Sequence, residues 1–377
     1  MPTLSRADTS LLGRWWWTVD RWTLGGIVML IMSGYIMMLA ASPAVAERIH
    51  QARDIFILKQ VVFLLISGLI VVGVSFLSPR GVRRVALAGC AVALLLTAAT
   101  LVAGTEIKGA RRWISLPGMS LQPSEFLKPC FAVVAAWLIA EGRRNPRLFG
   151  RVPGMLLAFV VFGVIAVLLK SQPDMGMLVV IVGVFFLQLF VAGLPLVLVG
   201  VGVGGIAASA VGAYSFFPHV RSRVERFLHP DVGDNFQVQR ALEAFGNGGL
   251  MGRGPGEGHV KDTIPDAHAD FVFAVAGEEF GLVICAVILA TFAFIVLRGL
   301  LRLLQEGDLF VVLASAGLAS GFGLQAFVNM ASTLHLIPTK GMTLPFISYG
   351  GSSVIAVALG MGMLLALTRR RHNGELV

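Results

Sequence analysis

Charge is in short supply in this sequence, and acid shorter still. Only 14% of the 377 residues are charged, 21 Asp and Glu against 30 Lys and Arg. A soluble domain of this length carries roughly a quarter charged residues. The shortage excludes an ordinary soluble protein. Cysteine is nearly absent too. Cys90, Cys130 and Cys285 each fall inside an apolar stretch, so neither a disulfide framework nor a metal-ligand spacing can be read from them. No GxxxxGK[ST] occurs, which removes the nucleotide-binding P-loop. The net charge of +9 does not argue for nucleic acid, because the arginines gather in short loops and tails.

What is abundant is apolar surface. The chain is 56% hydrophobic with a mean hydropathy of +0.82. About 20 apolar residues span a bilayer. Ten such segments are expected, at roughly 22–42, 56–77, 85–104, 126–141, 153–169, 176–192, 194–214, 270–298, 309–331 and 345–368. The expected fold is therefore an all-α polytopic membrane protein, one domain over 1–377. A long extracytoplasmic loop (215–269) joins the seventh and eighth helices, and cytoplasmic tails lie at 1–21 and 369–377. SPRGVRR (78–84), EGRRNPRLFGR (141–151) and the tail RRRHNGELV all fall on one side, with both termini. The positive-inside rule makes that side cytoplasmic. Trp15, Trp16, Trp17 and Trp22 suit an interfacial anchor. SPAVAER (42–48) mimics a signal-peptidase site, but the run before it is too long for a signal peptide, so an uncleaved first span is expected.

Three outward loops then stand out, 105–126, 215–269 and 332–344. They carry Lys108, Arg111, Arg112, Arg240, Arg253, Lys261 and Lys340 among other cations, against the usual bias. A long loop crosses regardless of its charge, so Arg111, Arg112 and Lys340 in the shorter loops are the better candidates. They suit either anionic lipid headgroups or an anionic substrate. FGNGGLMGRGPGEG (245–258) is expected to be a tight irregular loop folded back into a cavity.

Acids cluster in one place. TIPDAHADFVFAVAGEEFG (263–281) holds Asp266, Asp270, Glu278 and Glu279 where a polar loop enters an apolar segment. Ionisable groups in membrane helices usually face a bundle interior or a water-filled cavity. Asp270 would sit at the outer mouth, as a plain helix cap or as a base that takes a proton from a hydroxyl. Glu278 and Glu279 lie about two turns deeper. A structural ion pair with Lys128 or Lys170 is the plainer expectation for them. His259 and His268 could join these acids around a metal, but the spacing is not diagnostic.

These stretches also carry a family likeness. GARRWISLPGMSLQPSEFLK (109–128), QPDMG (172–176), AFGNGGLMGRGPGEG (244–258), IPDAHADFVFAVAGEEFG (264–281) and PTKGMTLPFISYGGSS (338–353) occur in that order. The chain resembles the SEDS family (shape, elongation, division and sporulation), typified by RodA and FtsW, over nearly its whole length. WWWTVDRW, SPAVAERI and HPDVGDNFQVQRALEAF resemble the FtsW branch more than the RodA branch. The resemblance implies a peptidoglycan glycosyltransferase that polymerises lipid II on the outer face of the bacterial inner membrane. The family's essential acid lies in an HTDF motif. Here the motif reads HADF, so the matching residue is Asp270, and Ala269 removes a hydroxyl while keeping the acid. The implied reaction is inverting, with undecaprenyl diphosphate as leaving group. Arg111, Arg112 and Lys340 are then candidates to hold its charge, and a divalent cation could share that work. Glu278, His268 and Ser348 complete the substrate-binding expectation. Glu125, Gln122 and Asp174 read as structural. The implied partners are a class B penicillin-binding transpeptidase, division-complex regulators at the septum and membrane lipids.

Two other functions fit a polar cavity in a membrane bundle. A lipid II flippase needs a polar path through to the inner side, where the hairpin AGLPL (192–196) is bare. A scaffold would need no acid at all.

Overall fold

The computed structural model describes residues 10–48, 54–107, 110–116, 119–145, 153–216, 221, 225, 227, 236–264, 266–338 and 341–370. Each of the ten expected segments falls on a helix. A short helix α1 (Leu11–Thr18) precedes α2 (Arg21–Arg48), α3 (Asp54–Ser75) and α4 (Pro79–Ala103). Then come α5 (Ser124–Arg144), α6 (Gly154–Ser171), α7 (Met175–Val191) and α8 (Leu196–Phe216). After α9 (Phe236–Gly248) and a 3-10 turn at Val260–Asp262, the chain closes with α10 (Val272–Leu303), α11 (Leu309–Thr333) and α12 (Gly351–Leu367). Among the described residues, α2, α3, α4, α6, α10 and α11 are long and apolar enough to cross a membrane, and α7 and α12 are shorter apolar helices. The chain is a multi-pass membrane protein.

The bundle is arranged around α5. This helix packs against α4, α6, α7, α11 and α12, and most of its residues are buried. Its central place explains its composition. The run from Cys130 to Ala140 is small or apolar on every side, while Glu125, Lys128, Glu141, Arg143 and Arg144 mark its ends. The lipid-facing helices instead expose large apolar side chains such as Leu58, Leu69 and Leu95.

Two departures from the expected all-α picture lie in loops expected to face outward. Residues 105–121 form a three-stranded antiparallel meander, β1 (Thr105–Ile107), β2 (Ala110–Leu116) and β3 (Met119–Leu121). The long loop contains α9, so Phe245 to Gly248 are helical, not irregular as expected.

The rest of the glycine run does fold back, and the reason is a broken helix. Gly281 in α10 has φ +77° and ψ −178°, which severs the helical hydrogen-bond ladder. The chain after α9 fills the break. Arg253 N–H donates to Glu278 O (2.9 Å) and Gly254 N–H to Glu279 O (3.0 Å), while Leu282 N–H reaches Gly249 O (3.0 Å) and Val283 N–H reaches Leu250 O (3.2 Å). Orphaned backbone groups in a buried setting are thereby paired. The approach is so close that a Cβ on Gly252 would lie 2.2 Å from Glu279 O, and one on Gly281 2.4 Å from Gly252 N. Gly277 packs against Phe245 of α9, and Gly281 makes the break.

Candidate active site

A cavity of 570 Å³ opens between α3, the sheet, the start of α5, the turn before α10 and the start of α12. Trp113, Ser115 and Ser120 face it from the sheet. Ser115 and Ser120 are cross-strand partners, so they share a face with Trp113, two residues away. Lys59 and Phe63 come from α3, and Gln122 and Glu125 from the approach to α5. Asp270 lines the opposite side, and Tyr349 to Ser353 bring the amino end of α12 to the wall.

Asp270 is half-buried in the turn before α10. It is not the helix cap. Phe271 holds that position, and no side chain caps the helix. The turn is held from three directions. Asn329 of α11, fully buried, donates from Nδ2 to Asp270 O (3.0 Å) and to Met342 O (2.6 Å). Ser348 donates from Oγ to Ala269 O (2.6 Å) and accepts from Leu344 N–H (2.8 Å). Tyr349 N–H donates to His268 O (2.9 Å). The His268 ring lies 5.2 Å from Phe56 of α3 and 5.1 Å from Tyr349. Burial pushes His268 down to about 4, against an opposing pull from Asp266. The imidazole is therefore neutral at physiological pH.

The floor of the cavity is a polar chain. Lys128 Nζ meets Glu125 Oε2 and Gln325 Oε1, each at 2.6 Å. Ser353 donates to Glu125 (3.2 Å) and shares a 2.7 Å hydrogen bond with Thr343. Gln122 Nε2 donates to Asp174 (3.1 Å) and to Ser124 (3.1 Å). Burial raises the Asp174 pKa, and the Arg112 charge and the Met177 N–H act against it. Lys128 and Gln325 also line a separate, mostly apolar recess of 40 Å³ between α5, α7, α11 and α12.

The expected site residues separate into groups. Asp270 is on the cavity wall, and His268 and Ser348 are the buried supports of its turn. Arg111 and Arg112 diverge, because neighbours on a strand point to opposite faces. Arg111 pairs with Glu106 across the sheet (3.3 Å) and is exposed. Arg112 turns to the α6–α7 junction and donates to Gln172 O (2.7 Å) and Pro173 O (2.6 Å), with Asp174 3.6 Å away. Neither lines the cavity. Glu278 does not line it either, which corrects the expectation. It is fully buried and accepts from the backbone N–H groups of His259 (3.1 Å) and Val260 (3.1 Å). Glu279 accepts from Gly256 N–H and pairs with Lys261, not with Lys128 or Lys170. These two acids hold the glycine loop against α10. Lys340 lies outside the described residues. Among the described residues, no three His, Cys, Asp or Glu side chains gather to hold a metal ion, so no chemical step is assigned to one.

Lys59 was missed. Its signal was present, a lone cation in the otherwise apolar run IFILKQVVF. An ionisable residue inside a membrane segment is a functional candidate by default. Glu125 was read as structural, and it is structural and on the wall as well.

The FtsW/RodA/SpoVE model, described as "Cell cycle protein", matches residues 21–373. The chain belongs to this family. It is 44% identical over 369 residues to the "Probable peptidoglycan glycosyltransferase FtsW" of Caulobacter vibrioides, covering 97% of this chain and 93% of that one. The protein of the same name from Trichlorobacter lovleyi is 34% identical, covering 91% of each. In fold the chain matches a SEDS protein from the structure titled "Structural coordination of polymerization and crosslinking by a peptidoglycan synthase complex". That match has a TM-score of 0.77, 29% identity and coverage of 93% of this chain and 97% of that one. The crystal structure of the Thermus thermophilus rod shape determining protein RodA matches with a TM-score of 0.68 and 27% identity, covering 94% and 97%.

Proposed function

We propose that this chain is a peptidoglycan glycosyltransferase that polymerises lipid II during cell division, with Asp270 as general base. One observation carries the assignment. The acid that matches the family motif is also a carboxylate on the wall of the large polar cavity. The second wall carboxylate, Glu125, is engaged by Lys128 at 2.6 Å. Asp270 takes the proton from the 4-hydroxyl of the acceptor sugar. That oxygen attacks the anomeric carbon of the donor, the bond to the diphosphate breaks, and its electron pair leaves with undecaprenyl diphosphate. Direct displacement inverts the anomeric centre. A base of this kind contributes roughly 10²–10⁴-fold to the rate.

The proposed topology has ten spans with both termini in the cytoplasm. It puts the sheet, the cavity and the 215–269 loop on the outer face of the inner membrane, where lipid II is consumed. The relatives named FtsW support a division role at the septum over elongation. The likeness to a peptidoglycan synthase complex supports a class B penicillin-binding transpeptidase as partner. The flippase reading is disfavoured, because the recess that Lys128 and Gln325 line between α5, α7, α11 and α12 is small and otherwise mostly apolar.

The test is glycan-strand formation from purified lipid II by the reconstituted chain with a catalytically dead transpeptidase partner. Wild type should make polymer, and Asp270→Asn and Asp270→Ala should bind lipid II without extending it. Normal polymerisation by both variants would overturn the assignment.

A further inference from the structure

Among the described residues, several sequestered cations are paired with acids, and Lys59 is not. Arg112 has Asp174 at 3.6 Å, Lys128 has Glu125 at 2.6 Å, Lys261 has Glu279, and Arg298 and Arg302 share Asp20 at 2.8 and 3.0 Å. Lys59 lines the cavity half-buried, and among the described residues no ion pair or hydrogen bond engages its ammonium. An ammonium on a cavity wall with no acid beside it attracts an anion that enters.

The surroundings define that anion. Phe56, Lys59 and Phe63 share one face of α3 at helical spacing. Phe56 packs on His268 and Tyr349, next to the turn that carries Asp270. A Cβ on Gly351 would come within 2.6 Å of the Phe63 ring, so Phe63 seats α3 against the amino end of α12. Lys59, between these contacts, stands beside Gly350 to Ser353, where helix N–H groups also favour an anion. Glu125 is the acid nearest this corner on α5, and Lys128 offsets it. Arg111, Arg112 and Glu278 are all committed elsewhere.

We infer that Lys59 is the cation that binds the diphosphate of the donor lipid and takes up the negative charge that develops as it leaves. The inference rests on the proposed function for the identity of the reaction, and not for the existence of an anion site. As the anomeric C–O bond breaks, its electron pair moves onto the diphosphate oxygen. A fixed ammonium there stabilises the transition state more than the ground state. The diphosphate of the acceptor lipid gains no charge in this step, so a lysine holding it would alter KM alone.

The experiment compares wild type, Lys59→Gln, Lys59→Arg and Asp270→Asn in two assays. One is binding of undecaprenyl diphosphate, with the monophosphate as control, read by thermal shift of the detergent-solubilised protein. The other is the lipid II concentration dependence of polymerisation. Lys59→Gln should bind the diphosphate at least tenfold more weakly and lower kcat at least tenfold. Lys59→Arg should restore most of both, and Asp270→Asn should lower kcat without changing diphosphate affinity. Wild-type diphosphate affinity in a folded Lys59→Gln, or a change in KM alone, would overturn the inference. If wild type binds the diphosphate through Lys59 and makes no glycan, the proposed function fails and the anion site stands.

Discussion

Helix α10 has an acid near each end, and the two are handled differently. At its far end Arg298 and Arg302 converge on Asp20, which precedes α2. Arg298 donates from Nε and Nη2 at 2.8 and 2.9 Å, and Thr23 adds a third hydrogen bond at 2.8 Å. Burial alone would raise the Asp20 pKa. The hydrogen bonds from Arg298 and Thr23 and the arginine charges outweigh it, so the carboxyl sits below its usual range. Around it Arg302 donates to Thr368 O and Arg369 to Thr18 Oγ1, which fastens α1, α10 and α12 together. At the near end Asp270 faces a large cavity, and the hydrogen bonds on its turn go to backbone groups of Ala269 and Asp270 and to the carbonyl of His268. The first arrangement spends its charge on holding helices. The second holds the backbone of the turn by neutral groups, with Asp270 on the cavity wall.

The comparison can be broken at either end. The largest effect is expected from Asp270→Asn, with polymerisation falling about 10²–10⁴-fold and the melting temperature little changed. Asp20→Ala should do the reverse. Two arginines lose their buried counter-ion, and stability should fall by about 2–3 kcal/mol, less than for a fully buried pair because both keep some exposure. The turnover of the remaining folded fraction should stay near wild type. Gly281→Ala should cost about 1–3 kcal/mol, since a positive φ and a crowded Cβ position coincide there, and thermal unfolding in detergent would measure it. Ser348→Ala removes one hydrogen bond to the turn that carries Asp270, at Ala269 O, and one from Leu344 N–H. It should cost about 1–2 kcal/mol and lower kcat more than it raises KM.

Acid sharpens the contrast in a pH scan. The His268 pKa is pushed down to about 4 by burial, below the unfolded value of about 6.5. Between those values the unfolded chain binds a proton that the folded chain does not, so stability should fall as pH drops from about 6.5 toward 4. His268→Gln should flatten that part of the stability profile. The Asp20 contribution has a different window. It is complete above the unfolded carboxyl pKa of about 4 and is lost only as pH falls further, through the depressed folded value.

Much of this architecture was legible in the chain. Apolar runs located the helices because the bilayer demands about 20 apolar residues per crossing, and the acids at 266–279 pointed to a polar interior. The errors share a cause. Arg111 and Arg112 were both read as candidates because they share a short loop, and a strand sends them to opposite faces. Glu278 was read with the substrate-binding residues. The helix begins at Val272 and breaks at Gly281, and the inserted glycine loop claims that carboxylate. Lys59 was passed over because it stands alone, more than 200 residues from Asp270.

Local physics accounts for what the sequence by itself determined, namely membrane class, helix positions and the acid that matches the family motif. Each depends on composition within a window no longer than a helix. The tertiary structure alone decided which charges are spent on one another and which remain available. Pairing depends on distances between residues tens to hundreds of positions apart, Asp20 with Arg298, Arg112 with the turn at Gln172, Glu278 with the N–H groups of His259 and Val260. Once those pairs are formed, Asp270 and Lys59 line one cavity.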